Sequence, residues 1–139
     1  MKKREKVSNI MTTDVLTVNV ANTLTEANEL FVNQRIRHLP VVSGEKLVGI
    51  LSQTDILRIS FGNAFEDNQS DADEAIFDML SINQVMKHSP KTVGPEDTLK
   101  EAAEILAEKE FHALPVVENN KLVGIVTTTD IINYFIEQY

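Results

Sequence analysis

The chain has 139 residues, a formal net charge of −8 and no cysteine. This length suffices for one hydrophobic core, and the missing cysteines exclude disulfides and thiolate metal sites and fit a reducing compartment. Because nucleic-acid affinity depends on cationic surface, we expect no nucleic-acid partner for an acidic chain. No apolar run is long enough to span a bilayer, so we expect a cytoplasmic protein without a membrane partner.

The N-terminal stretch 1–6 is basic, like the start of a secretion signal. A signal would continue with an apolar stretch of roughly 7 to 15 residues, and none follows here. We therefore predict that 1–6 is a solvated tail. The alternative is a contact of this tail with RNA or anionic lipid.

The chain matches itself at an offset of 75 residues, with about 20 of 54 aligned positions identical and no gap. Two matches are Leu-Pro-Val-Val at 39–42 and 114–117, and Lys-Leu-Val-Gly-Ile at 46–50 and 121–125. Self-similarity of this kind indicates a duplicated structural unit. We predict four segments: the tail 1–6, repeat 1 at 7–60, an acidic insert at 61–81 and repeat 2 at 82–139. We expect the insert to be a solvated linker rather than a docking site.

Within each repeat the elements follow one order. A short β-branched strand comes first, at 15–18 and 90–93. A helix then opens with a capping box, formed by Thr23 with Glu26 and by Thr98 with Glu101. A hairpin follows, with turns at 43–46 and 118–121, return strands at 47–51 and 122–126, and a second helix from Ser52 and Thr127. The fold class is therefore α/β, with two tandem βαββα repeats packed by pseudo-twofold symmetry into one globular module.

Each hairpin ends in the motif Gly-x-x-[Ser/Thr]-x-Thr-Asp, at 49–55 and 124–130. Hydroxyl residues at the start of a helix suit phosphate, and a nearby carboxylate suits the paired hydroxyls of a ribose. The same residues also read as helix caps, with the hydroxyl at the N-cap and the carboxylate three residues later. Taken alone, the motif favours capping over ligand binding.

Basic residues precede the hairpin of repeat 1. Arg37 and His38 stand before Leu-Pro-Val-Val, where repeat 2 has His112 and Ala113. An arginine suits phosphate because its planar fork donates two hydrogen bonds. The alternatives are a solvated arginine and half-buried, hydrogen-bonded histidines.

Together these residues resemble the CBS domain pair, tandem domains named for cystathionine β-synthase. The pattern is Val-x-x-Ile-Met-Thr-x-x-Val-x-Thr-Val at 7–18, Arg-His-Leu-Pro-Val-Val at 37–42 and Leu-Val-Gly-Ile-Leu-Ser-x-x-Asp-Ile at 47–56. It recurs at 82–93, 112–117 and 122–131. The resemblance implies a stand-alone regulatory module with two clefts between the repeats, which bind adenosine ligands such as AMP, ADP, ATP or S-adenosylmethionine. It also implies a homodimer and an effector protein as partners.

The resemblance assigns site residues by position. Ribose and phosphate would meet a polar set: Arg37, His38, Ser52, Thr54, Asp55, His112, Thr127, Thr129 and Asp130. Adenine would lie along the first strands: Leu16, Thr17, Val18, Lys91, Thr92 and Val93. Because His112-Ala113 replaces Arg37-His38 in repeat 2, we expect unequal sites, with phosphorylated ligands preferring the one that holds Arg37 and His38. The net charge disfavours a polyanion such as ATP unless local cations or Mg²⁺ offset it.

Two other classes of function compete with a sensor. A structural dimerisation or interaction module would use the same fold with empty clefts or a non-nucleotide ligand, but would not need two matched aspartates. An enzyme would need a nucleophile–base pair or metal-ligand spacing, and the sequence shows neither. We therefore expect no catalytic residue, no bound metal and no required cofactor, with adenine nucleotide as the regulatory ligand.

Overall fold

The computed structural model describes residues 4–59, 71–109 and 112–139 and, for 71–74, the backbone alone. The described elements are a short 3₁₀ helix (Val7–Asn9), β1 (Val18–Asn19), α1 (Leu24–Gln34), β2 (His38–Ser43), β3 (Lys46–Ser52), α2 (Gln53–Ile59), α3 (Asp71–Met79), α4 (Ile82–Val85), β4 (Lys87–His88), α5 (Leu99–Lys109), β5 (Ala113–Glu118), β6 (Lys121–Thr127) and α6 (Thr128–Glu137). Helices and strands alternate within each repeat, so the predicted mixed α/β class with two tandem repeats is confirmed. Within these described ranges, no helix combines the length and apolar character of a membrane span.

The chain divides into two compact units that do not coincide with the sequence repeats. The first unit comprises Leu16–Gly44 and Val48–Ser89, and the second comprises Met1–Val15, Glu45–Leu47 and Pro90–Tyr139. Residues 7–15, at the head of repeat 1, therefore belong to the unit built mainly from repeat 2. Residues 82–89, at the head of repeat 2, belong to the other one.

In the first unit, β1 pairs in parallel with β2, with Val18 opposite Val41. β2 and β3 are neighbours joined by a tight turn at Gly44, whose φ of 64° lies in the left-handed region that glycine adopts without strain. α1 begins with the predicted capping box, in which Glu26 N donates to Thr23 Oγ1 at 3.0 Å and Thr23 N donates to Glu26 Oε1 at 3.1 Å. The core of this unit is built from α1, the strands, Ile56 of α2 and three later residues: Phe77, Ile82 and Met86.

The second unit repeats this plan. The single bridge Val93–Val116 is parallel and takes the place of β1. β5 and β6 pair antiparallel from Ala113–Thr127 to Glu118–Lys121. Asn119 and Asn120 have φ values of 53° and 66°, as a two-residue type I′ turn requires. Both predicted hairpins are therefore present. The first strand lies at Val18–Asn19 rather than at the predicted 15–18, and the predicted strand 90–93 is reduced to the bridge at Val93.

The insert between the repeats contains a helix with a buried aromatic. The helix α3 contributes Phe77, which is 3% exposed, to the core of the first unit, and Ile76 and Leu80 pack against that core. The expected linker is thus not solvated throughout, because Ile76, Phe77 and Leu80 pack against the core while Ala75, Asp78 and Met79 are exposed. Residues 61–70 of the insert and residues 1–3 of the tail lie outside the described residues.

The heads of the two repeats are exchanged between the hairpins. Thr12, from repeat 1, forms two backbone hydrogen bonds with Ile125 on β6, at 2.9 and 3.0 Å. In the equivalent place β4, from repeat 2, pairs antiparallel with β3 at Gly49–His88 and Ile50–Lys87. Each hairpin is therefore completed by the leading segment of the other repeat.

Glycine is required at the two crossing points. A Cβ on Gly124 would lie 2.6 Å from Met11 Sδ and 3.0 Å from the backbone oxygen of Thr12. A Cβ on Gly49 would lie 2.9 Å from the backbone oxygen of Lys87 and would also overlap the side chain of Met86. The glycine that opens each motif thus admits a crossing methionine segment, a role that the sequence alone did not reveal.

The replacement Gly124→Ala should lower the free energy of unfolding by about 1–3 kcal/mol, the usual penalty for overpacking, because two hydrogen bonds to Ile125 hold the backbone of Thr12 in place. Gly94→Ala is the matched control in the same unit, since the nearest atom to its Cβ would be 3.7 Å away. Urea denaturation of both variants measures the difference. Equal stability of the two variants would contradict the assigned role of Gly124.

Candidate ligand-binding sites

The predicted site residues of repeat 1 lie together at one end of a sheet. The parallel strands β1 and β2 start at this end, and the antiparallel return strand β3 finishes there. It therefore holds Leu16–Val18, Arg37–His38 and the turn Ser52–Asp55. A hydrogen bond of 2.9 Å from Gln53 N to Arg37 O ties the last two groups together.

The second unit brings together the equivalent residues of repeat 2. Ala113 lies opposite Thr127, and Thr128 N donates to His112 O at 3.0 Å. The Thr128 hydroxyl donates to the same oxygen at 3.4 Å. Val93 pairs with β5 beside them, with Val93 N donating to Pro115 O at 3.1 Å. Each unit thus presents its own first-strand, basic and motif residues at one sheet end.

Both motif aspartates act as helix caps. Ser52 N donates to Asp55 Oδ2 at 2.9 Å, and Asp55 N donates to Ser52 Oγ at 3.1 Å. Thr127 and Asp130 repeat the same pair of bonds at the same two distances. The capping interpretation is therefore correct, and it is compatible with binding, because the cap uses only one oxygen of each carboxylate.

The remaining oxygens, Oδ1, differ between the two turns. Asp55 Oδ1 lies 3.5 Å from Arg58 Nη1, and Asp55 is only 6% exposed. Asp130 is partly exposed, and among the described residues its Oδ1 has no hydrogen bond or ion pair. Sequence reasoning did not single out Arg58. Alignment of the two repeats could have indicated it, because the position equivalent to Arg58 in repeat 2 holds an uncharged residue, Asn133.

The polar side chains at the sheet ends differ in accessibility. Arg37, Thr54, His112 and Thr129 are exposed, so all four are available to a ligand. His38 is half-buried and already has a polar or electrostatic partner. This arrangement fits the alternative weighed for His38, a half-buried histidine that is already engaged.

The first-strand residues divide into core and surface. Val18 and Val93 are 3% and 5% exposed, and their side chains belong to the two hydrophobic cores. Leu16 and Thr17 are exposed in the first unit. Lys91 is exposed and Thr92 partly exposed in the second.

Lys91 also changes the comparison of charge between the sites. It replaces Leu16 at the offset of 75 residues, so the sheet end of the second unit has a lysine as well as His112. The sheet end of the first unit has Arg37, His38 and the paired Arg58. Both ends thus carry basic side chains near the aspartate, and they differ in which basic residue stands at which position. In the described part of the chain, no group of three or more histidine or acidic side chains is arranged for a metal ion.

Comparison with known proteins relates both repeats of this chain to one protein family. The model of the CBS domain family matches twice, at residues 7–62 and 82–137. Inosine-5′-monophosphate dehydrogenase of Korarchaeum cryptofilum is 34% identical over 131 residues, which are 94% of this chain and 24% of that enzyme. The chain spans less than half the length of this and the next curated relatives that it matches.

Two solved structures share the fold over nearly the whole chain. The crystal structure of CBSX2 in complex with AMP is 27% identical, with a TM-score of 0.80, and covers 96% of this chain and 98% of that one. The crystal structure of the CBS domain pair of protein MJ0100 in complex with 5′-methylthioadenosine and S-adenosyl-L-methionine is 25% identical, with a TM-score of 0.75 and coverage of 94% and 98%. The chain belongs to the CBS domain family and contains a tandem pair of these domains.

Proposed function

We propose that this CBS pair is a regulatory module that binds an adenosine ligand and transmits its occupancy to a partner protein. The observation that carries the proposal is the matched pair of sheet ends, each with a capped aspartate beside exposed hydroxyl and cationic side chains. Similarity to structures that hold AMP, or 5′-methylthioadenosine and S-adenosyl-L-methionine, supports an adenosine compound as the ligand.

The chemistry of each sheet end suits the three parts of a nucleotide. A ribose hydroxyl would donate to Oδ1 of the aspartate, the carboxylate oxygen that the helix cap does not use. A phosphate would be bound by Arg37 in one unit and by His112 and Lys91 in the other, with Thr54 or Thr129 donating a hydroxyl. An adenine ring would pack on Leu16 and Thr17, or on the stem of Lys91 and Thr92.

Charge favours a small phosphate group over a long one. The chain has a net charge of −8, and against it the first sheet end offers two arginines, Arg37 and Arg58, and the second offers Lys91, each beside a histidine. AMP therefore suits these sites better than ATP, whose extra charges would need Mg²⁺ carried with the ligand. We assign this chain a role in binding rather than in catalysis. The dehydrogenase matches this chain over only 24% of its length, so the similarity gives no reason to transfer its catalytic activity.

Asp130→Asn should weaken AMP binding at one site by about 10- to 100-fold, the range that loss of a hydrogen bond to a charged group produces. The asparagine oxygen can still accept the Thr127 N–H, so the cap and the fold are retained. Isothermal titration calorimetry with AMP, ADP, ATP and S-adenosylmethionine identifies the ligand and measures the loss. Asp55→Asn tests the other site in the same way.

Asp97→Asn is the matched control, because Asp97 also accepts a backbone N–H, from Gly94 at 2.7 Å, in the same unit. It changes the net charge by the same amount and should bind AMP normally. Normal AMP binding by both Asp55→Asn and Asp130→Asn would contradict the ribose assignment. Failure of the folded wild-type chain to bind any ligand of the panel would contradict the proposed function.

A second candidate function is self-association, and the surface of α6 favours it. Ile132, Phe135, Ile136 and Tyr139 recur at helical spacing, and each has half or more of its surface exposed. The rings of Phe135 and Tyr139 also pack together, with centroids 5.0 Å apart. A contiguous apolar stripe on a helix is typical of an interaction face. We propose that a second copy of this chain covers it, giving a homodimer.

Phe135→Glu should shift the protein from dimer to monomer in sedimentation velocity, because a charge would be buried in the middle of the apolar stripe. Phe135 is 51% exposed, so the replacement leaves the core intact. Gln138→Glu, an exposed change on the same helix end with the same added charge, should leave the dimer unchanged. A monomeric wild-type chain, or a dimeric Phe135→Glu variant, would contradict this assignment.

A further inference from the structure

The two capping turns are nearly identical except for one guanidinium group. Their cap bonds have the same lengths, 2.9 and 3.1 Å. Asp55 nevertheless is 6% exposed and has Arg58 Nη1 at 3.5 Å from its Oδ1, whereas Asp130 is partly exposed. Asn133, the counterpart of Arg58, is exposed and makes no bond to Asp130 among the described residues.

This difference has a direct consequence for ligand access. A carboxylate as buried as Asp55 accepts a ribose hydroxyl only after a covering group moves. Arg58 is the group in contact with its free oxygen, and the 3.5 Å separation is at the long limit for a hydrogen bond. The Arg58 side chain is 67% exposed although Asp55 is only 6% exposed, so the guanidinium group lies largely in water and gives up a single long contact when it moves. Displacing the guanidinium is therefore easy.

The identity of the ligand then decides whether the displaced arginine gains a partner. The 5′-phosphate of a nucleotide is joined to the ribose through a single methylene group, so a ribose at Asp55 brings the phosphate close to the displaced guanidinium. Arginine binds phosphate through two parallel hydrogen bonds, a better match than the single long contact it leaves. A neutral nucleoside has no phosphate group, so the displaced arginine would form no new ion pair with it.

We propose that Arg58 is a specificity-determining residue, which exchanges Asp55 for the ligand phosphate and so makes the Asp55 site select phosphorylated adenosine ligands over neutral nucleosides. The Asp130 site lacks this exchange, because Asn133 neither covers the carboxylate nor binds phosphate strongly. The inference rests on the proposed function, adenosine-ligand binding at the two aspartates. The difference between the two sites in their preference for phosphorylated ligands would then come from Arg58, a residue outside the motif.

The test compares AMP with adenosine by calorimetry in a chain whose other site is silenced by Asp130→Asn. In this background AMP should bind at least about tenfold more tightly than adenosine, as expected for one exposed charged contact. Adding Arg58→Asn, which copies repeat 2, should reduce that ratio about tenfold by weakening AMP and strengthening adenosine. Arg58→Lys keeps the charge without the planar fork and should fall between the two.

The reciprocal exchange and a charge control complete the design. Asn133→Arg, in a chain with Asp55→Asn, should raise the preference for AMP at the Asp130 site. Lys100→Asn removes the same charge from an exposed position on α5 and should leave the ratio unchanged. An unchanged AMP-to-adenosine ratio in Arg58→Asn, with both ligands still bound, would overturn the role of Arg58 and leave the proposed function standing. Absence of AMP binding to the unmodified chain would overturn both.

Discussion

The reciprocal hydrogen bonds between a hydroxyl residue and an aspartate at the end of each return strand fix the rest of the site. They end β3 and β6, start α2 and α6, and place a carboxylate at a sheet end with one oxygen left over. Because a cap contributes about 0.5–2 kcal/mol, the motif stabilises the fold even in the absence of ligand. One oxygen of each carboxylate thus serves the fold, and the proposed ribose contact would use the other.

The glycine at the head of the motif serves a different constraint. Gly49 and Gly124 lie where a methionine segment from the other repeat crosses the return strand, and a side chain there would collide with strand backbone. The exchange ties residues 7–15 to the hairpin of repeat 2 and residues 82–89 to the hairpin of repeat 1. Each hairpin therefore needs both repeats, which gives a physical reason why the sequence carries two copies.

Local patterns predicted the local structure well. The Thr23 capping box, both hairpins and both capped motif turns follow from hydrogen-bond chemistry within a few residues of one another. The exchanged segments could not be predicted, because an offset of 75 shows which residues are equivalent but not which copy they pack against. The burial of Phe77 and Val18 and the pairing of Arg58 with Asp55 likewise depend on tertiary packing. The packing of the insert, the exposure of the first-strand residues and the charges near each aspartate therefore needed the structure.

The central claim, that an adenosine ligand binds at the capped sheet ends, is tested most directly by nuclear magnetic resonance. Backbone amide shifts followed during an AMP titration report the position of the ligand independently of any mutation. Binding at the sheet ends should give saturable changes at residues 52–55 or 127–130, together with the neighbouring 16–17 or 91–92, and none on the exposed stripe of α6. Saturable changes confined to other surfaces, with both motif turns unperturbed, would contradict it.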